Sequence, residues 1–155
     1  MGAAYFYHMT RAPLEVTLPV LLTKSLAAGW RVVVRGCDAQ RMELLDQRLW
    51  LGPEEEFLPH GVAGGPYDAQ QPILLTTQLD APNGAACLMS VDGARVSPEE
   101  VSDFERVCML FDGTDSSAME TARGQWRSLT SAGVAAKYWS EESGRWQMKA
   151  QSGEA

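Results

Sequence analysis

Short apolar runs alternate with helical stretches along almost the whole of this 155-residue chain, and that alternation limits the fold more than any single motif does. Ala4 to Met9 (AYFYHM) reads as a first strand. Leu14 to Ala28 follows, with Leu18, Leu21, Leu22 and Leu26 at helical spacing and Gly29 placed to end the helix. Pro19 moves the expected start of the regular helix to Thr17 or Leu18, because proline fits a first turn and breaks an interior. Trp30 to Arg35 (WRVVVR) is a β-branched second strand. Asp38 is an N-cap for AQRMELLDQRLW, a helix with Met42, Leu45 and Leu49 on one side and Gly52-Pro53 as its stop.

From Leu51 to Gln71 the periodicity disappears, which predicts a long ordered loop with Glu54 to Glu56 on a solvated face. Pro72 to Thr77 and Ala86 to Val91 read as strands, with Pro82-Asn83-Gly84 as the turn between them. A short helix over Pro98 to Asp103, a strand over Arg106 to Phe111, a long helix from Ser116 and two closing strands (VAAKYWS and RWQMK) complete the chain. The expected fold is a single α/β Rossmann-like domain over residues 1–150, a largely parallel sheet flanked by helices on both faces, with 151–155 as a flexible tail.

A net charge of −7 argues against a general nucleic-acid binder, whose affinity comes from Lys and Arg neutralising phosphates; it leaves room for a small basic patch. The opening MGAAYFYHMT has neither the basic start nor the long apolar run of a secretory leader, and no stretch approaches the ~20 apolar residues that cross a bilayer. Cys37, Cys87 and Cys108 are odd in number and widely spaced, so buried free thiols in a reduced cytoplasm are expected rather than a disulfide framework.

Chemistry is sparse. A dinucleotide site requires glycines after the first strand, and here that turn reads His8-Met9-Thr10-Arg11-Ala12-Pro13. Neither His8 nor His60 has a Cys or His at ligand spacing, and there is no G-x-S-x-G elbow. His60 reads as a structural residue that fixes the loop. No catalytic residue, metal ligand or cofactor is assigned.

The charge distribution is more informative. Ser97 to Glu120 has seven acidic residues and one basic residue, whereas Thr121 to Ser140 has Arg123, Arg127 and Lys137 and no acid. On the long helix Met119, Ala122, Trp126 and Leu129 form an apolar stripe, and Arg123 and Arg127 sit four apart beside Trp126. In the plainest reading the tryptophan is core and both arginines are solvated. In the functional one the guanidinium groups hold a carboxylate through paired hydrogen bonds while an aromatic walls an apolar pocket.

The YFY strand, the Gly29-Trp30-Arg31-Val32-Val33-Val34 junction, Leu49-Trp50 followed by Glu56-Phe57-Leu58-Pro59-His60, and Trp126-Arg127, Ala132-Gly133, Tyr138-Trp139 and Gly144-Arg145-Trp146 occur together in order. In these features the chain resembles the chi subunit of bacterial DNA polymerase III holoenzyme. The resemblance implies a non-catalytic accessory subunit of the clamp-loader complex that grips the C-terminal tail of single-stranded DNA-binding protein, an acidic peptide ending in Ile-Pro-Phe. Carried over by position, the tail site comprises Arg123, Trp126 and Arg127, with Thr130 standing where the family is basic, Lys137 or Arg145 as a compensating cation, and Tyr138 and Trp139 in place of smaller residues on the neighbouring strand. Phe57, Leu58, Pro59 and His60 fall on the side that meets the psi subunit or the clamp loader. The alternatives are a small hydrolase or nucleotide-processing enzyme on the same fold, and direct single-strand binding through Trp126, Trp139 and Trp146, which the overall acidity disfavours.

Overall fold

A computed structural model of the chain describes residues 2–51 and 58–153. The strands are β1 (Ala3–Met9), β2 (Val32–Arg35), β3 (His60–Val62), β4 (Ile73–Thr76), β5 (Cys87–Ser90), β6 (Arg106–Asp112), β7 (Ala135–Ser140) and β8 (Gln147–Ser152). The helices are α1 (Leu14–Ala27), α2 (Ala39–Trp50), α3 (Pro98–Val101) and α4 (Ser116–Ser131). One sheet runs in the order β3-β4-β2-β5-β6-β1-β7-β8, parallel throughout except for the antiparallel β7–β8 hairpin. The expected α/β, Rossmann-like class with a largely parallel sheet is the class observed.

Two apolar clusters on opposite faces hold the sheet between helices. One packs Leu14, Leu18 and Leu22 of α1 and Met42, Leu45 and Leu49 of α2 against Val32, Val34, Ile73, Leu75 and Met89. The other packs Val101 of α3 and Ala122 and Leu129 of α4 against Phe6, Val33, Leu74, Leu88, Val107 and Met109. The central strands β2, β4 and β5 are buried at every position, as a parallel sheet covered on both sides requires.

Local chemistry accounts for the ends of several helices. Gly29 has φ +85°, and the Trp30 and Gly29 amides donate to the Ser25 and Leu26 carbonyls, closing α1 in a Schellman arrangement. Asp38 accepts from the Gln40 amide, Asp115 from the Ser117 and Ala118 amides, and Ser97 and Glu100 form a reciprocal capping box.

Several expectations change. Helix α1 starts at Leu14 and runs through Pro19. An interior proline costs ~3 kcal/mol, but each fully buried leucine returns ~1.5–3 kcal/mol, and Leu18 and Leu22 are wholly buried with Leu14 nearly so. The 51–71 stretch contains strand β3, which pairs with β4 from His60↔Ile73 to Val62↔Leu75, and a 3-10 turn at Asp68–Gln70. The segment around Pro82-Asn83-Gly84 is a crossover rather than a turn between neighbours, since β2 lies between β4 and β5. Buried Asn83 anchors it by donating to the Val32 and Gln71 carbonyls. Strand β8 continues to Ser152, so Gln151 and Ser152, expected in a tail from 151, pair with Lys137 and Ala136. Cys87 and Cys108 are buried free thiols, but Cys37 is exposed. The expected helix stop at Gly52-Pro53 and the Glu54 to Glu56 face lie outside the described residues, and so does Phe57.

Candidate binding surface

Helix α4 turns Ala122 and Leu129 into the sheet and leaves Met119 and Trp126 half-buried along the same edge. The Trp126 ring meets Phe6 edge-on at 5.2 Å and Tyr138 at 6.0 Å, so it forms the rim of the core. One turn apart on the outer side, Arg123 and Arg127 are exposed, and neither makes an ion pair among the described residues. Burial pushes the Tyr138 phenol above its ordinary value and the nearby Glu142 charge adds to this, while Arg123 pulls it back down. Arg123 is thus within electrostatic reach of the aromatic edge. The Thr130 hydroxyl donates to the Trp126 carbonyl inside the helix and adds no charge to the surface.

The seven expected tail-site residues divide between the two faces of the sheet. Phe6 pairs with Tyr138, which places Tyr138 on the α4 side with Arg123, Trp126, Arg127 and Thr130. Tyr5 pairs with Lys137 and Tyr7 with Trp139, so Lys137 and Trp139 lie on the opposite face and cannot share a small pocket with the arginines. The expected grouping followed charge along the chain and took no account of strand alternation.

A crevice lies elsewhere. At about 650 Å³, it opens at the carboxyl ends of β1 and β6, from which α1 and α4 leave toward opposite faces. Glu15, Asp92, Asp112 and Asp115 outnumber Arg11 and Arg41 on its walls, and Arg41 is taken up by Glu15 at 2.9 Å and Asp92 at 3.1 Å. Such walls repel an anionic ligand. Moreover, the amides of Thr10, Arg11 and Ala12, in the turn where a dinucleotide fold receives pyrophosphate, all point at one Glu141 oxygen, at 3.0, 3.2 and 3.4 Å. The chain supplies its own anion to this turn, from a residue 130 positions away, and no sequence pattern reveals it. Replacing Glu141, which is buried, by alanine is expected to lower stability by about 1.5–3 kcal/mol, read from urea unfolding midpoints.

The Leu58-Pro59-His60 segment is also turned differently from the expectation. Leu58 and His60 are buried, and only Pro59 is partly exposed. The His60 ring faces the Leu58 carbonyl through Nδ1, while its Nε2 lies 3.0 Å from the Asp46 carbonyl and 3.1 Å from Asp46 Oδ1. It locks β3 to α2 and presents nothing to a partner. The apolar groups that do reach the surface here are Trp50 (50% exposed), expected as the end of α2, and Leu51 (79%), expected as the start of the loop. His8 is buried under α4, stacked on Phe111 at 5.4 Å. The Cys108 thiol is held protonated by its hydrogen bond with Cys87 and by burial, which removes it as a nucleophile. No metal-ligating cluster of His, Cys, Asp or Glu occurs among the described residues.

A sequence model of the family described as DNA polymerase III chi subunit, HolC, matches residues 1–137. The chain belongs to that family. It is 26% identical over 111 residues to the protein named "Probable DNA polymerase III subunit chi" of Rickettsia prowazekii (strain Madrid E), a match covering 68% of this chain and 67% of that relative. Family membership makes it a polymerase-holoenzyme subunit by kinship and places it with the DNA polymerase III complex. The matched span takes in the whole of α4, including Arg123, Trp126 and Arg127, and stops at Lys137 on β7. Tyr138, Trp139 and strand β8 lie beyond it. No helix among the described residues is long and apolar enough to cross a membrane.

Proposed function

We propose that this chi-family chain is a non-catalytic adaptor of the clamp-loader complex that holds the acidic C-terminal tail of single-stranded DNA-binding protein on the α4 face. The observation that carries this reading is the pair of exposed arginines, Arg123 and Arg127, one helical turn apart and without an ion pair among the described residues of a chain whose net charge is −7. In an acidic protein, free cations beside the aromatic edge of Trp126 and Tyr138 suit a ligand that ends in a carboxylate and an apolar ring. The guanidinium groups grip the tail's carboxylates, and its last side chain lies against Trp126 and Tyr138. Lys137 and Trp139 take no part in this grip, and Thr130 acts through the helix alone.

A second surface docks to the psi subunit or directly to the clamp loader. The apolar surface of Trp50 and Leu51, continued by Pro59 and with Phe57 close in sequence, supports this half of the reading. The mechanism is recruitment in a reduced cytoplasm. Two linked sites raise the effective concentration of the polymerase at the coated strand, and no bond is broken.

The test is a titration of a fluorescent peptide ending in Ile-Pro-Phe against the purified chain. Saturable binding that weakens with added salt is expected. A peptide that does not bind, or that binds equally well after its acidic residues and terminal carboxylate are neutralised, contradicts the reading.

A further inference from the structure

The face of the sheet opposite α4 is only partly covered. The main helix contacts there fall on β2 and β6 for α1 and on β3 and β4 for α2. Met9, Tyr5 and Tyr7 of β1 and Trp146 pack at the edge of that cluster, and beyond them Trp139 of β7 is half-exposed and Met148 of β8 exposed. Tyr7 and Trp139 are partners on adjacent strands there, and Met148 is the partner of Trp139 on β8. All three reach the surface to some degree, with Met148 45% exposed. Trp146 packs edge-on against Tyr7 at 5.5 Å and extends the platform.

Two cations lie over neighbouring rings of the same face. The Arg106 guanidinium lies 4.2 Å from the Tyr5 ring centre and 5.1 Å from that of Trp30, and the Lys137 ammonium lies 5.6 Å from Tyr5. Neither cation has an ion-pair partner among the described residues. The residue paired with Lys137 across β8 is Gln151, which carries no charge.

We infer that this open face binds single-stranded nucleic acid, with bases stacking on the Trp139 and Trp146 side of the platform and the backbone running past Lys137 and Arg106. Aromatic rings beside two cations without ion pairs suit a strand whose bases offer flat faces and whose phosphates are negative. An acidic peptide would use the cations and leave most of the ring surface unmatched. With few cations and a net charge of −7, the affinity is low and strongly salt-dependent. The logarithm of affinity should fall with the logarithm of salt at a slope of about −1.5 to −3.

The test measures fluorescence anisotropy of labelled oligothymidylate with the full chain at low salt and without any binding protein. The wild type is expected to bind with that slope. Lys137→Glu, at a half-exposed position that leaves the core intact, should lose roughly tenfold in affinity, and Trp139→Ala a similar amount. The Arg123→Ala, Arg127→Ala variant should bind as the wild type does, which separates this face from the tail site. Three results would overturn the inference. The wild type fails to bind at low salt; the arginine variant loses the strand while Lys137→Glu keeps it; or Lys137→Glu leaves the strand bound and loses an acidic peptide instead, which would make the face a protein-docking surface.

Discussion

Glu100→Ala is expected to destabilise the protein by about 3–5 kcal/mol, because it strands a buried guanidinium. The Arg35 side chain is 3% exposed, and its Nη2 lies 2.8 Å from Glu100 Oε1, whose own side chain is 22% exposed. Arg35 Nη1 donates to the Arg95 carbonyl at 3.2 Å and Nη2 also to the Leu79 carbonyl at 3.1 Å, so the end of β2 is tied to two connections as well as to α3, while the buried Nε has no partner among the described residues. Glu100 also accepts from the Ser97 amide at 2.9 Å, and the substitution removes that cap too. Burial works to raise the Glu100 pKa, but hydrogen bonds from Arg35 and Ser97 outweigh it and hold the carboxyl below its ordinary 4.5. A depressed carboxylate stabilises fully above its unfolded value and loses that contribution as pH falls through the folded one. Urea midpoints of wild type and Glu100→Gln should therefore differ by a constant amount from neutrality down to about 5 and converge below 4.5. A difference that persists undiminished well below that range would show that the carboxylate charge is not what Arg35 requires.

The second large effect concerns binding. The Arg123→Ala, Arg127→Ala double variant is expected to weaken the tail peptide by about tenfold to thirtyfold, ~1.5–2 kcal/mol. A shielded charged hydrogen bond contributes ~1.5–3 kcal/mol alone, but both arginines are exposed and screened by water and salt, which lowers the contribution of each. The loss should shrink as salt is added. Folding should be unaffected, because neither side chain supports the core.

How far the sequence could be read follows from how locally each feature is determined. Helix α2 was legible because its cap, Asp38, and its buried side, Met42, Leu45 and Leu49, lie within one short stretch. The exposure of Arg123 and Arg127 beside a half-buried Trp126 was legible for the same reason, since helical spacing fixes which residues share a side. Strand β3 was not, because three residues carry no period and its pairing with β4 is made by backbone. His60 was expected to fix the loop through a hydrogen bond and does, but its partner Asp46 lies on another element, and the burial of Leu58, which the resemblance set on a partner surface, is likewise beyond local pattern. Lys137 and Trp139 were grouped with Tyr138 although successive strand residues point to opposite faces, so a single acid-free window was read as a single surface. Glu141 in the first turn joins residues about 130 apart, beyond the reach of any local pattern.

The most direct measurement is a crystal structure of the chain with the tail peptide bound. Peptide carboxylates are expected against Arg123 and Arg127, and the terminal aromatic ring against Trp126 and Tyr138. A peptide seated instead in the acidic crevice between β1 and β6, or against Trp50 and Leu51, with the two arginines still free in solvent, would contradict the proposed grip.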